Sequence, residues 1–182
     1  MRLITKRLIL RDFTIKDAKN LAENANDKSI WYFTENIPSP YKLKDAKWFI
    51  NKCVKKSKEK PRTSYELGIE LKDEKRIIGC ISIFKVDRIH KRAGIGYWIG
   101  KKYRKLGLVS ESEKAVLDFA FNKLKLNKIW GDAMVENKGS NMLFKNFGFR
   151  KIGIKKEDLI KKGKKKHVYT WELLKKDYKR LK

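Results

Sequence analysis

The sequence predicts an α/β (α+β) protein: a mixed central sheet with helices on both faces. Three observations predict it. The apolar residues switch along the chain between a helical period of about 3.6 and a strand period of about 2. Their order reads strand, two helices, a run of strands, then helix, strand, helix, strand, strand, which suits a sheet packed between helices. The 182 residues contain no repeat and no long linker, so a single domain over 1–182 is expected.

Arg7 to Phe13 (RLILRDF) reads as the first strand. Thr14 and Asp17 form a capping pair for a helix carrying Ile15, Ala18, Leu21, Ala22 and Ala25 on one side. The aromatic stretch Asp27 to Tyr41, with Pro38 and Pro40, reads as a loop that tucks under the core or lines a cleft. A second helix spans Leu43 to Lys56, with Ala46, Phe49, Ile50, Cys53 and Val54 on its apolar face. Tyr65 to Leu71 and Arg76 to Val86 form a hairpin about a turn at 72–75, and a turn at Arg88 to Lys91 leads to a strand over Ala93 to Gly100. Glycines 94, 96 and 100 in that strand mark a bulge or a close approach of another backbone. A helix follows from Ser110 to Leu124, then a strand over Lys128 to Val135, a short helix over Ser140 to Phe147 and a strand over Gly148 to Lys156. The lysine-dense turn KKGKKK (161–166) leads to the closing strand His167 to Leu174.

Composition narrows the function classes. The chain is 41% hydrophobic with five tryptophans, enough for a core. No stretch approaches the roughly 18 apolar residues of a membrane span, and the basic opening MRLITKRLIL is too interrupted for a signal peptide. A soluble cytoplasmic protein, monomer or homodimer, is expected. Cys53 and Cys80 form no CxxC, and with His90 and His167 as the only histidines no metal site is expected. The formal charge of +26 has two readings: lysine bias on solvated faces, or an electrostatic contact with a ribosome, RNA or another polyanion.

The segment YRKLGLVSE (103–111) joins a strand to a helix through a basic, glycine-containing turn. Helix-start amides lack internal partners and carry partial positive charge, so such a turn suits a pyrophosphate. The plainer reading is a strand-to-helix turn with solvated basic residues. The helix start decides between them. A capping box Ser110/Glu113 would occupy the amides internally, whereas a start near Leu108 leaves them free.

IGYWIGKKYRKLGLVSE, followed by AVLDFAF and ENKGSNMLFKNFGF, resembles the GNAT acetyltransferase superfamily. The opening TKRLILRDFTIKDA and the closing HVYTWELLKKDY are similar to its branch that acetylates ribosomal-protein N-termini (alanine or serine). The resemblance implies a strongly bent sheet with two splayed parallel central strands, acetyl-CoA as acyl donor, no metal, and an amine acceptor such as a ribosomal-protein N-terminus. It implies cofactor contacts from Trp98 and Ile99 on the splayed strand, from the loop Arg104, Lys105, Leu106, Gly107, Leu108 and Val109, and from Asn137, Ser140 and Phe144. Val109 stands where a smaller residue is usual and is expected to crowd the phosphate. Leu106 replaces a common glycine, and Gly94 sits where many members carry an acid that serves as a candidate base.

The chemistry implied is acyl transfer to an amine. Backbone N–H groups near Trp98 and Ile99 would polarise the thioester carbonyl, and the ammonium must lose a proton before attack. Ser140 is the candidate hydroxyl beside the departing sulfur, with capping of its own helix as the alternative. Asp132 is the candidate base and Glu136 its neighbour. Glu111 and Glu113 suit the helix start electrostatically. Trp31, Tyr32 and Phe33 are the candidate acceptor pocket, with core packing as the alternative. Two rival functions remain open at this point: a polyamine or other small-amine acetyltransferase, and a non-catalytic CoA-binding module docking on RNA or a ribosome.

Overall fold

A computed structural model describes residues 1–180. Eight strands form one sheet in the order β1-β2-β3-β4-β5-β6-β8-β7. They are β1 (Arg2–Ile4), β2 (Leu8–Asp12), β3 (Tyr65–Leu71), β4 (Arg76–Asp87), β5 (Arg92–Ile99), β6 (Lys128–Met134), β7 (Arg150–Lys161) and β8 (Lys164–Leu174). Every neighbouring pair is antiparallel except β5 and β6, which run parallel. That pair is in register only from Arg92↔Lys128 to Gly94↔Trp130. Beyond Gly94 the two strands part and leave a gap in the middle of the sheet.

Among the described residues six α-helices accompany the sheet: α1 (Ala18–Ala25), α2 (Lys28–Phe33), α3 (Leu43–Ser57), α4 (Leu108–Asp118), α5 (Lys138–Asn146) and α6 (Lys175–Arg180). Successive side chains point to opposite sides, and along β4 a register shift at Ile78 changes the phase of that alternation. Ile77 and Cys80 of β4 pack with Phe13, Leu21, Ala46 and Ile50, beneath α1 and α3. Ile78, Ile81 and Ile83 join Leu8, Leu10, Val116, Leu117 and Phe144 on the opposite side. Helices therefore cover both faces. No described helix is long and apolar enough to cross a membrane.

Several elements depart from expectation for local reasons. The aromatic stretch after α1 is a helix, α2, for its first half. Asp27 accepts a hydrogen bond from Ser29 N at 2.6 Å and caps it; the prolines act only downstream. α4 begins at Leu108, two residues before Ser110, and its last turn widens to a π turn over Phe119–Lys123. α5 begins at Lys138, capped by Asn137, whose side chain accepts from Ser140 N at 3.2 Å. β7 and β8 extend almost through KKGKKK. The turn itself is Lys162 and Gly163, both with positive φ (51° and 69°), as a two-residue hairpin with mirror-image turn geometry requires. β1 and α6 have no counterpart in the expected set. α6 is anchored by buried Tyr178, whose hydroxyl donates to Asp118 at 3.1 Å.

Candidate active site

The gap between β5 and β6 is bordered by main chain. Gly100 N donates to Ile78 O, and Lys91 O accepts from Asn127 N and Lys128 N. With the period of two, even-numbered residues of β5 bond toward β4 and odd-numbered ones face β6. Past Gly94, therefore, the main-chain groups of Ile95, Tyr97 and Ile99 face the open side, where β6 no longer pairs with them. Ile99 thus stands where the carbonyl-polarising amides are expected. Trp98 has its N–H turned to β4 and its ring packed toward α1 and α3.

The basic turn lies at the end of β5. Lys105 (φ 63°) and Gly107 (φ 73°) are both in the left-handed region, and Gly107 is the N-cap of α4 with no side-chain cap. Glycine is needed there because a Cβ is disfavoured at positive φ. Among the described residues, no acceptor engages the amides of Leu108, Val109 and Ser110; the first closed bond is Glu111 N to Gly107 O at 3.0 Å. These three N–H groups point out of the helix mouth, an anion-binding arrangement. The Ser110/Glu113 capping box does not form. Val109 packs partly buried against the core, while Leu106 is exposed.

Arg104 is committed elsewhere. Its guanidinium donates to Ser29 Oγ at 2.8 Å and to Ile99 O at 3.3 Å, and meets Asp27 at 3.4 Å. It ties the turn to the cap of α2. A second arginine, Arg7, braces the turn from beneath: Nη1 donates to Leu106 O at 2.8 Å and Nε to Glu111 Oε2 at 2.7 Å. Glu111 also accepts from Thr5 Oγ1 and Arg7 N. Burial pushes its carboxyl up, but these hydrogen bonds prevail and hold it below the usual range. Arg7 was not singled out by sequence reasoning; its partners lie 99 and 104 residues away.

The far wall of the gap comes from β6 and α5. Because Asn137 caps α5, Ser140 sits inside the first turn and its hydroxyl is not the cap. Phe144 is buried in the core, 4.9 Å from Phe149 and 6.3 Å from Tyr97 between ring centres, so it supports the wall from behind. Asn141 fixes α5 to the end of β6 through Met134 O at 2.9 Å and accepts from Trp171 Nε1 at 3.0 Å. Gly94 has no room for an acid: a Cβ there would lie 2.5 Å from the Phe84 ring and 2.9 Å from that of Trp130.

The acceptor side is formed by α2 and the β7–β8 hairpin. Tyr32 donates to Glu136 at 3.0 Å, and Lys166 pairs with Glu136 at 2.7 Å. The Lys166 ammonium holds the Glu136 carboxyl below its ordinary range. Lys161, at the start of the lysine-dense turn, is buried. Its ammonium lies 5.3 Å from the centre of the Trp31 ring and donates to Trp31 O at 2.9 Å and Thr34 O at 2.6 Å. Phe33 is at the surface beside Tyr32. Asp132 is exposed and paired with Lys155 at 2.6 Å. The structure thus joins the turn, α2 and Ile99 through Arg104. Asp132 stands apart with Lys155.

Glu113 is fully buried, and neither oxygen has a hydrogen-bond partner among the described residues. Burial alone pushes its carboxyl up to about 8.

Comparison with known proteins agrees with this geometry. The model of the acetyltransferase (GNAT) domain matches residues 7–150. The uncharacterized N-acetyltransferase YnaD of Bacillus subtilis is 28% identical over 179 residues, covering 98% of this chain and 99% of its own. The ribosomal-protein-S5-alanine acetyltransferase of Vibrio fischeri superposes with a TM-score of 0.85 at 18% identity, covering 98% of each chain. Spermidine N-acetyltransferase of Vibrio cholerae, solved with CoA and spermine, superposes at 0.80 with 22% identity, covering 94% of this chain and 98% of its own. The reading of a non-catalytic module falls away. With the family match over most of its length and an open parallel pair beside a glycine-capped helix, the chain belongs to the GNAT family of N-acetyltransferases.

Proposed function

We propose that the protein transfers an acetyl group from acetyl-CoA to the N-terminal amine of a protein, of the ribosomal-protein type. The observation that carries the donor assignment is the set of unpaired amides at Leu108, Val109 and Ser110, in line with the open main chain of Tyr97 and Ile99. The first set suits a diphosphate and the second an amide-bearing arm with its thioester carbonyl. The relatives' names supply the acceptor classes, ribosomal protein and polyamine. The charge of +26 favours the first, since it repels a polycation and attracts a ribosome-borne substrate.

Bound acetyl-CoA supplies an acyl group on a good leaving group. The protein's residues do the rest. The helix mouth and the β5 edge hold the two substrates in contact, so that attack becomes effectively unimolecular. The Ile99 amide stabilises charge on the carbonyl oxygen. Ser140 gives a proton to the departing sulfur, and the incoming ammonium loses its proton to water, since Asp132 is held by Lys155. The aromatic wall of Trp31, Tyr32 and Phe33, with Glu136, shapes the acceptor entrance.

The test is incubation with labelled acetyl-CoA and a mixed panel of ribosomal-protein N-terminal peptides, spermidine and spermine, read by mass spectrometry. Label on peptide α-amines is expected; label confined to the polyamines overturns the acceptor assignment. Ser140→Ala should slow transfer by about tenfold or more while donor binding stays near wild type, and unchanged turnover would remove its role.

A further inference from the structure

Helix α2 has six residues, too few to be stable alone. Cations from opposite sides of the gap hold its two ends. At its start, Arg104 donates to Ser29 Oγ and meets Asp27, while its Nε donates to Ile99 O at the end of β5. At its other end, Lys161 of β7 donates to Trp31 O at 2.9 Å and to Thr34 O at 2.6 Å. Tyr32, between them, donates to Glu136 just past β6 at 3.0 Å. The helix therefore connects β5 with the β7–β8 hairpin, where β5 and β6 pair over three residues and then part.

Lys161 is an unusual residue to find there. It is 7% exposed, and the partners of its ammonium are two main-chain carbonyls and a ring. Burial pulls its affinity for a proton down, against the field of Glu35. Taking an ammonium out of water is costly, and an apolar chain of the same volume is often as good for stability or better. Stability gives no reason for a lysine. Direction does. The last carbonyls of a helix lack internal partners and carry partial negative charge. Trp31 O and Thr34 O are such carbonyls, and one donor group reaching both fixes where the helix ends. The same ammonium lies over the Trp31 ring, 5.3 Å from its centre, an attractive placement for a cation. One group thus sets both the backbone and the ring of Trp31.

We infer that Lys161 is a positioning residue for the amine acceptor, which caps α2 and so holds Trp31 and Tyr32 at the entrance to the gap. This rests on the acetyl-transfer reading, in which α2 walls the acceptor side. Arg104 and Lys161 then have different reach. Arg104 touches the donor turn and α2, and bears on both substrates. Among the described residues, the contacts of the Lys161 ammonium are all with α2 and its cap residue Thr34, so it bears on the acceptor alone. Tyr32 carries the effect further. Its ring lies 5.9 Å from the Lys162 ammonium and 5.5 Å from that of Lys166, and a displaced α2 would break its bond to Glu136.

Lys161→Met keeps the chain length and removes the donors. With a peptide amine, the acceptor KM should rise about tenfold, the worth of one hydrogen bond from a charged group. The kcat and the donor KM should stay within about twofold of wild type. Lys161→Arg keeps the charge and the donors and should restore the acceptor KM. An unchanged acceptor KM, or a loss confined to kcat, overturns the proposal. So does a Lys161→Met protein that fails to fold, for the lysine would then hold the whole structure. Amide hydrogen exchange reads α2 without any reaction. The N–H groups of Ile30, Trp31 and Thr34, bonded to Asp27 O and Ile30 O, should exchange about tenfold faster in Lys161→Met, while β8 amides and the affinity for CoA stay unchanged. Equal exchange in α2 overturns the proposal whatever the acceptor proves to be. Transfer to polyamines alone removes the peptide reading and leaves this one standing, since Lys161→Met should then raise the polyamine KM in the same way.

Discussion

Nη1 of Arg104 and Oγ of Ser29 lie 2.8 Å apart, joining the basic turn to the capping residues of α2. The same guanidinium reaches Ile99 O and Asp27. A residue that reads in sequence as a phosphate ligand is therefore a strut between the donor loop and the acceptor helix. Arg104→Ala should raise KM for donor and acceptor together. Asp27→Asn should raise the acceptor KM while leaving the donor term close to wild type. An Arg104 effect confined to the donor would restore the ligand reading.

Gly107 holds the αL position that starts α4 at Leu108. Gly107→Ala should cost about 1–2 kcal/mol in stability and weaken CoA binding, because relieving the strain turns the amides of Leu108 to Ser110 away. Calorimetric titration of CoA into wild type and variant measures it. Equal affinities would mean that those amides are not the anchor.

The brace formed by Arg7 and Glu111 should be pH-dependent. The folded protein holds the Glu111 carboxyl below its ordinary range, so its contribution is present above the unfolded pKa and is lost as pH falls through the folded one. Glu111→Gln should lower the melting temperature at neutral pH, and the difference from wild type should shrink in acid. A difference that persists unchanged at low pH points to shape, not charge.

Glu113 has the opposite sign. Its carboxyl is pushed up to about 8, so the folded state binds its proton more tightly than the unfolded chain does. Stability then falls as pH rises from the ordinary glutamate range toward pH 8. Glu113→Leu should flatten that slope and leave the protein more stable above pH 8, by about 1 kcal/mol or more. Parallel melting curves for both proteins from pH 5 to pH 9 would contradict it.

Gly94→Asp should not rescue a missing base. The ring edges of Phe84 and Trp130 occupy the space, so overpacking should destabilise the fold by about 1–3 kcal/mol without raising the transfer rate. Thermal melts and initial rates at saturating donor decide it.

Much of the fold was legible because burial has a period. Leu8 and Leu10, or Ala46, Ile50 and Cys53, announce a strand and a helix by spacing alone. The start of α4 was not settled that way, since Ser110 and Glu113 carry a capping signature that tertiary burial of Glu113 overrides. α2 was hidden by the prolines that follow it, Pro38 and Pro40, although Asp27 and Ser29 carried a cap signal. The site divided in the same manner. Gly107 and Asn137 act through their local backbone and could be found by motif. Arg7 and Lys161 act on residues distant in sequence, and only the folded sheet brings them there.

Three rungs of ladder hold β5 against β6, and they are the only strand pairing that links β1–β5 with β6, β8 and β7 among the described residues. The sheet is in effect two leaves sewn by a few stitches at one end. A guest carrying its own amide groups, laid along the unsewn seam, would supply the missing stitches. Resistance to heat and exchange of the amide hydrogens in both leaves should then rise with occupancy of the seam, making the acyl carrier a clasp for the scaffold that grips it.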